Sequence, residues 1–335
     1  MEADSTTYDI TTKQELAEPC LPFNICPGNF QLYKDFISNK SDQRLEYKLV
    51  ERLQEFGLLP SSINCPSNNV DCKVTCKPAR VIDRVQWVCE GCGKKQPIRT
   101  GSFFFRLQCS ILQAMQIILA WCEDADIEVA AEHFGLKLKV ATLIYDRLDE
   151  LAIKEQSKQK LGGENSVVLV EMYPDCVNRQ SPDTTDQPHA HRILMLADTN
   201  HVPTAYWLHV IKEENKKITA EDTDNQSLKL EIEEVVRDVV LPNSLLVTGT
   251  NVPLIDGASS LQQLCQHCDA DMQHFLSTRI WRQAVSLCGA SGSARCPQQY
   301  LRGALFRLRR APPLYRRVLL ALAAHHARRA PTDHT

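Results

Sequence analysis

The chain has 335 residues, of which 43% are hydrophobic and 24% charged, and this length and balance suit two or three globular domains. Its longest apolar stretches, 111–121 and 318–324, fall short of the ~18 apolar residues that a membrane span needs, which excludes an integral membrane protein. Glu2 and Asp4 stand where a secretory leader would be basic and then apolar. We therefore expect a reducing compartment, in which the 14 cysteines are free thiols or metal ligands.

Charge is distributed unevenly along the chain. The net charge of −3 gives no global signature of nucleic-acid binding, so such binding depends on local basic patches. Segment 213–238 is acidic, whereas segment 295–329 holds nine arginines and no Asp or Glu. Charge, cysteine spacing and hydrophobic periodicity together divide the chain into an acidic leader expected to be disordered (1–29), a helical segment (30–64), a cysteine-rich segment (65–98), a second helical segment (99–160), an α/β segment (161–290) and an arginine-rich helical tail (291–335).

Hydrophobic periodicity predicts the secondary structure. Leucines recur at helical spacing within 30–57, and three further helices are predicted at 110–122, 127–134 and 139–151. From residue 166 the pattern changes to that of buried strands, predicted at 167–170, 192–197, 204–211 and, after a helix at 228–240, at 245–247. Three strands, a helix and a strand form an α/β layer, so the fold class is a multidomain α+β protein.

The cysteine-rich segment has the spacing of a zinc ribbon. Cys89 and Cys92 form a Cys-x-x-Cys knuckle with adjacent glycines, and a tetrahedral zinc ion needs four soft ligands at ~2.3 Å. The first knuckle is irregular, because the partner of Cys65 is either Cys72 or Cys76. We predict a structural zinc ion bound by Cys65, Cys72, Cys89 and Cys92, with Cys76 as the alternative to Cys72. Buried free cysteines are the competing interpretation.

The second helical segment fits a helix-turn-helix. Gly135 falls between the predicted helices at 127–134 and 139–151, where a tight turn is required. The second of these helices begins near Lys137 and Lys139 and carries Arg147, and these three residues are candidates for contacts with DNA phosphates. Plain three-helix cores share this spacing, so the pattern by itself leaves DNA binding open.

The run Arg99-Thr-Gly-Ser-Phe-Phe104, directly after the second knuckle, resembles a sequence in transposases of Merlin-class DNA transposons and their bacterial insertion-sequence relatives. Other stretches agree with the same family in the same order: Leu53-Gln-Glu-Phe-Gly-Leu-Leu-Pro60, Lys160-Leu-Gly-Gly163, Leu241-Pro-Asn-Ser244, and Tyr300-Leu301 through Phe306-Arg307. The resemblance covers roughly residues 45 to 325. Its strength is that the matching stretches are collinear.

This resemblance implies a DDE-type, RNase H-like domain whose three carboxylates hold two divalent metal ions ~3.5–4 Å apart for DNA strand cleavage and joining. The corresponding positions here are Glu171, Gly249 and Thr278, so one carboxylate of three is retained. One carboxylate cannot hold a metal pair. We therefore predict no catalytic residues and no bound magnesium. The acids that would have to substitute are Asp256, Asp269 and Asp271.

The leading hypothesis is a transposase-derived, catalytically inactive nuclear protein that binds DNA or chromatin through the ribbon, the helical segment and the tail. The tail residues expected to contact DNA are Arg302, Arg307, Arg309, Arg310, Arg316 and Arg317. A helix face on which these arginines are merely solvated is the competing interpretation. An active transposase and a protein-interaction scaffold that uses the acidic 213–238 surface also stay open, and the sequence is compatible with protein partners and a homo-oligomer.

Overall fold

The computed structural model describes residues 21–37, 45–173, 191–200, 204–212, 221–264, 280–294, 296–308 and 313–327. Within these ranges the chain forms two hydrophobic cores, one around helices and a small sheet and the other around a larger sheet. The predicted mixture of α and β structure is confirmed at this level. In the same ranges, none of the helices has both the length and the apolar character required to cross a bilayer.

The first core begins with two helices, α1 (Pro27–Ile37) and α2 (Leu45–Glu55). Helix α2 lies in the region 30–57 that the sequence predicts as helical, whereas α1 begins at Pro27, before that region. Apolar side chains at helical spacing turn inward, and Leu53 is fully buried. Gly57 follows α2 with a φ of +83°, a left-handed conformation that glycine adopts without steric cost and that often ends a helix.

A three-stranded antiparallel sheet follows, with strand order β1-β2-β3. Its strands are β1 (Val74–Pro78), β2 (Val85–Cys89) and β3 (Lys95–Pro97). Alternate residues of β2 are buried, among them Val85 and Trp87, so one face of the sheet packs on the first core while the other faces solvent. The predicted cysteine-rich segment therefore folds as a small ribbon attached to the helices.

A buried ion pair fixes the loop that follows the ribbon. Arg99 Nε donates to Asp83 Oδ2 at 2.6 Å, and a terminal guanidinium nitrogen donates to the other carboxylate oxygen. The same guanidinium donates to the carbonyl oxygens of Leu107 (2.9 Å) and Cys109 (2.7 Å). Both charged side chains are almost fully buried, so each has lost its hydration. The ion pair and the hydrogen bonds to these carbonyls compensate for that loss. Arg99, the first residue of the run 99–104, thus has a structural role.

Three helices complete the N-terminal part of the first core: α3 (Ile111–Cys122), α4 (Ile127–His133) and α5 (Leu138–Ser157). The helix starts are encoded locally. Ser110 and Gln113 form a reciprocal capping box at α3, and the Asp126 carboxylate accepts two backbone N–H groups at the start of α4. Gly135, with a φ of +64°, lies in the turn between α4 and α5. All three helices begin within a residue of their predicted starts.

The second core surrounds a five-stranded sheet in the order β6-β5-β4-β7-β8. The strands are β4 (Val167–Met172), β5 (Ile193–Asp198), β6 (Ala205–Val210), β7 (Leu245–Thr248) and β8 (Ala258–Ser260). Strands β4, β5 and β6 are antiparallel neighbours, whereas β7 is parallel to β4 and β8 is parallel to β7. Four of the five strands match predicted strands. Strand β8 has three residues, too few for its alternation to be recognised in the sequence.

Helix α6 (Glu221–Val239) connects β6 to β7 and packs on the sheet through Leu228, Ile232 and Val235, all buried. A short helix, α7 (Leu261–Leu264), follows β8. The helix connection is what allows β7 to run parallel to β4, because parallel neighbours need a crossover rather than a tight turn.

The last three α-helices of the described residues return to the two cores: α8 (Arg282–Ala290), α9 (Pro297–Leu308) and α10 (Leu314–Ala327). Helix α9 buries Leu301 and Leu305 in the second core, whereas its Phe306 belongs to the first core. Helix α10 buries Tyr315 and Leu319 in the first core, beside α1 and α3. The sequence assigns 291–335 to a tail of its own. In the structure, its described helices use their apolar stripes to join the two cores.

Candidate metal centre and strand-end site

Four of the five candidate zinc ligands converge at one end of the ribbon. The sulfur atoms of Cys65, Cys72, Cys89 and Cys92 all lie within 4.8 Å of one another. The Sγ of Cys65 is 3.5 Å from that of Cys92 and 3.6 Å from that of Cys89. Four sulfurs placed tetrahedrally at ~2.3 Å from a zinc ion are ~3.8 Å apart, so the arrangement has the dimensions of a four-cysteine zinc site.

Glycine and backbone amides create this convergence. A Cβ atom on Gly91 would lie 2.6 Å from the Sγ of Cys72, so a larger residue would displace that ligand. The backbone N–H of Ser67 donates to the sulfur of Cys65 at 3.4 Å, and the N–H of Cys92 donates to that of Cys89 at 3.5 Å. Such amides stabilise the negative charge of thiolates in knuckles.

The electrostatic interactions among the four cysteines favour the binding of a cation. The Ser67 N–H, with help from neighbouring thiols, lowers the pKa of Cys65 to about 6. The pKa of Cys72 rises to about 12, first because its thiol hydrogen-bonds to Cys89 and then because of burial and the charge of the nearby sulfurs. Four thiolates in so small a volume repel one another unless a divalent cation neutralises them. The donor set therefore suits zinc, and with four protein ligands it leaves no open position for catalysis.

Cys76, the alternative ligand, lies elsewhere. It sits on β1 opposite Trp87, and it packs against the first core. Burial raises the pKa of its thiol. The structure therefore groups Cys72, and not Cys76, with the other three cysteines. The reason is that Cys72 precedes β1 in the irregular loop beside Gly91, whereas Cys76 is held in the strand.

The second candidate site lies where β4 and β7 end. Glu171 on β4 and Gly249 just after β7 are neighbours, and the N–H of Gly249 donates to the carbonyl of Val170 at 2.8 Å. A Cβ atom on Gly249 would lie 2.0 Å from Glu171 Oε2. The Glu171 carboxylate thus occupies the space that a side chain at position 249 would need.

Backbone amides hold this carboxylate in place. It accepts N–H groups from Met172 at 2.8 Å, from Thr250 at 3.1 Å and from Asn251 at 3.2 Å. Burial raises the pKa of Glu171, and these three hydrogen bonds oppose that rise. The acceptor oxygens are therefore used by the protein's own backbone.

The other acids named from the sequence do not complete a metal pocket in the described part of the chain. Asp256 is exposed and forms an ion pair with Lys229, with a separation of 2.8 Å between Oδ1 and Nζ. Among the described residues, the four-cysteine cluster is the one group of three or more potential ligands close enough to share a metal ion. Thr278, Asp269 and Asp271 lie outside the described residues.

The candidate DNA contacts of the helical segment lie at the start and in the middle of α5. Lys137 and Lys139 are exposed at the start of α5, next to the turn at Gly135. Arg147 is half-buried further along the helix, where its guanidinium donates to the carbonyl of Phe103 at 3.2 Å. The two lysines are therefore exposed at the start of α5, whereas Arg147 contacts the loop that follows β3.

Two arginines of α9 are engaged with aromatic rings. The guanidinium of Arg302 lies 5.9 Å from the ring centre of Trp207, and that of Arg307 lies 4.0 Å from the ring centre of Trp121. Such contacts are cation–π interactions. Arg307 also forms ion pairs with two acids of the first core, Asp124 and Asp149. These contacts hold Arg307 between α3, α5 and α9.

The remaining tail arginines differ in exposure. Arg316 on α10 is exposed, whereas Arg317 is half-buried, with its guanidinium 4.9 Å from the ring centre of Phe306. Arg309 and Arg310 lie outside the described residues. The predicted basic tail is therefore not a uniform surface in its described part, because packing of α9 and α10 places some of its charges between helices.

Comparison of the chain with models of protein families, with curated proteins and with solved structures found no match. The function of the chain must therefore be inferred from the geometry and chemistry of its own residues. Asp83 is a structurally important residue that the sequence did not reveal, since nothing local pairs it with Arg99, which lies 16 residues later. The adjacent knuckle indicated a turn at Gly91, but not that this glycine leaves room for the sulfur of Cys72.

Proposed function

We propose that this chain is a DNA-binding protein derived from a Merlin-class transposase, in which an RNase H-like domain has lost its metal-dependent nuclease site. The sheet supports this proposal. Three antiparallel strands, extended by two parallel strands on the side of the first, are compatible with the RNase H-like domain that the resemblance implies. The collinear motifs fall at matching places, with 160–163 just before β4 and 241–244 just before β7.

The observation that carries the proposal is the pairing of Glu171 with Gly249. The resemblance assigns the first two catalytic acids to these two positions, and in the structure they are adjacent across β4 and β7. Adjacency is what a two-metal site requires, since both acids must reach the same ions. The second position has no side chain, and the Glu171 carboxylate fills the gap and accepts three backbone N–H groups. This geometry favours loss of cleavage chemistry.

DNA binding is proposed from the other parts of the chain. The zinc ion would have a structural role, holding the ribbon against the first core. Helix α5 would be the recognition helix, because its exposed first turn carries Lys137 and Lys139 directly after the turn at Gly135. A protein that binds DNA or chromatin in this way would act in the nucleus.

The experiment measures binding of the full chain to duplex DNA of mixed sequence across a salt series. We expect affinity to fall as salt rises, and the double variant Lys137→Gln/Lys139→Gln to reduce the salt dependence by ~2 in the log–log slope. Lys212→Gln/Arg237→Gln is the matched control, since it removes two exposed charges from the sheet domain. Binding that is absent at low salt, or that responds equally to both variants, would refute the proposed role of α5.

A second assay tests the loss of chemistry. The chain is incubated with supercoiled plasmid and Mg²⁺ or Mn²⁺, and we expect no nicking above background. Nicking that disappears in Glu171→Ala would instead identify an active transposase with acids supplied from elsewhere in the chain. Recovery of protein partners that survives nuclease treatment, without binding to purified DNA, would favour the protein-interaction scaffold.

A further inference from the structure

A basic groove of about 300 Å³ lies beside the middle of α5, where three parts of the first core meet. The loop after β3 contributes Phe105 and Arg106, helix α5 contributes Arg147 and Lys154, and α10 contributes His325. These residues are far apart in the sequence, and the packing of α10 on the first core completes the groove.

The groove carries an excess of positive charge. Arg106 and Lys154 are exposed, and within the described ranges neither forms an ion pair or a hydrogen bond. Glu150 is the acid among the lining residues, and no ion pair joins it to these cations in the part of the chain that the structure describes. Three permanent cations therefore face one carboxylate, an arrangement that attracts an anionic ligand.

The conformation of the loop after β3 exposes Phe105 and Arg106 to solvent. Arg106 has a φ of +64°, a left-handed conformation that is unfavourable for a non-glycine residue. The buried guanidinium of Arg99 holds the next residue by bonding to the carbonyl of Leu107. As a result, Phe105 is exposed and the guanidinium of Arg106 lies 5.2 Å from its ring centre.

The distance along α5 suggests the ligand. Arg147 is nine residues beyond Leu138, which corresponds to ~14 Å along a helix axis. The major groove of B-DNA is ~12 Å wide, and recognition helices contact bases with their first residues. When the start of α5 lies in the major groove of DNA, Arg147 is about one groove width further along the helix, which is the level of the bordering phosphates.

We propose that this groove, formed by Arg106, Arg147 and Lys154 beside Phe105, binds phosphates of the DNA backbone. The inference rests on the proposed function, since it requires that α5 enters the major groove. It assigns the loop that follows Arg99 a role in contacting DNA and explains why that loop adopts a strained conformation. The groove would add affinity without adding sequence preference, because phosphates carry no sequence information.

The test uses the double variant Arg106→Gln/Lys154→Gln in the full chain, with Lys212→Gln/Arg237→Gln as the control of equal charge. Binding to duplex DNA is measured across a salt series, and melting temperature and zinc content are compared with those of the wild type. We expect the log–log salt slope to decrease by ~2 for the groove variant and to change little for the control. If the double variant does not fold, Lys154→Gln by itself is expected to decrease the slope by ~1.

The outcomes separate the two proposals. If the wild type shows no salt-sensitive DNA binding, the proposed function fails and this inference fails with it. If the wild type binds DNA and the groove variant behaves like the control, the inference fails and the proposed function stands. A slope reduced in the groove variant and not in the control supports both.

Discussion

Replacement of Gly249 by alanine tests whether the Glu171 carboxylate occupies the space that a side chain at position 249 would need. The new Cβ would lie 2.0 Å from Glu171 Oε2, so the carboxylate must move. It would then lose the N–H groups of Thr250 and Asn251. Each such bond contributes about 0.5–1.5 kcal/mol net, and release of the carboxylate to water offsets part of the loss. We expect Gly249→Ala to lower the free energy of unfolding by about 1–2 kcal/mol.

In a protein without the Glu171 side chain, Gly249→Ala is expected to raise the free energy of unfolding instead of lowering it. Gly249 does not have a positive φ, so its backbone accepts alanine. In the Glu171→Ala background the three nearest atoms that crowd this Cβ are gone. Alanine then restricts the unfolded chain and stabilises the protein by about 0.4–1 kcal/mol. The coupling energy of the double-mutant cycle is therefore about 1.5–3 kcal/mol.

Urea denaturation followed by circular dichroism measures all four proteins of the cycle. Gly303→Ala serves as a control, since a Cβ atom on Gly303 of α9 meets nothing within 4 Å. We expect that change to be neutral or stabilising in both backgrounds. Equal effects of Gly249→Ala with and without Glu171 would refute the proposed occupation of the site by the carboxylate.

Three further predictions concern the metal centre and the buried charges. Cys72→Ser should abolish stoichiometric zinc binding, measured as metal content after purification, whereas Cys76→Ser should retain it because Cys76 packs in the first core. Asp83→Asn should lower the free energy of unfolding by about 3–5 kcal/mol, since it leaves the Arg99 guanidinium buried without its counter-ion; a change below about 1 kcal/mol would contradict this account. Burial raises the pKa of Glu171 above 4.5, so the unfolded carboxyl releases its proton first as pH rises. As pH rises from about 4.5 to the raised pKa of Glu171, the free energy of unfolding of the wild type should fall relative to that of Glu171→Gln. Urea midpoints of the two proteins that change in parallel across this pH range would exclude the effect.

Local patterns predicted much of the secondary structure and most of the cysteine cluster that could hold a metal ion. Hydrophobic periodicity predicted the starts of α3 and α4 to within a residue, and in the structure the side chains of Ser110 and Asp126 cap backbone N–H groups of those first turns. The Cys89 and Cys92 knuckle was recognisable because its two ligands share one turn. The sequence did not distinguish Cys72 from Cys76 as the fourth cysteine, because both spacings from Cys65 are irregular. The difference depends on which of the two residues lies in β1.

The sequence also indicated that the arginines of α9 and α10 are accompanied by leucines, but not which surfaces these helices cover. Arg307 was a candidate for DNA contact from charge alone. In the structure its guanidinium stacks on Trp121 and pairs with Asp124 and Asp149. Those partners lie more than 150 residues earlier, so no local pattern relates them to the tail.

The sequence by itself determined the features that depend on neighbours along the chain: helix caps, the alternation of buried strands and one cysteine knuckle. Tertiary structure decided which distant residues meet. It brought Glu171 against Gly249, joined Cys65 and Cys72 to the knuckle, and placed α10 beside the loop of Arg106. The physical reason is that capping and strand alternation are short-range, whereas burial of an apolar stripe can be satisfied by many partners and is resolved only when the whole core packs.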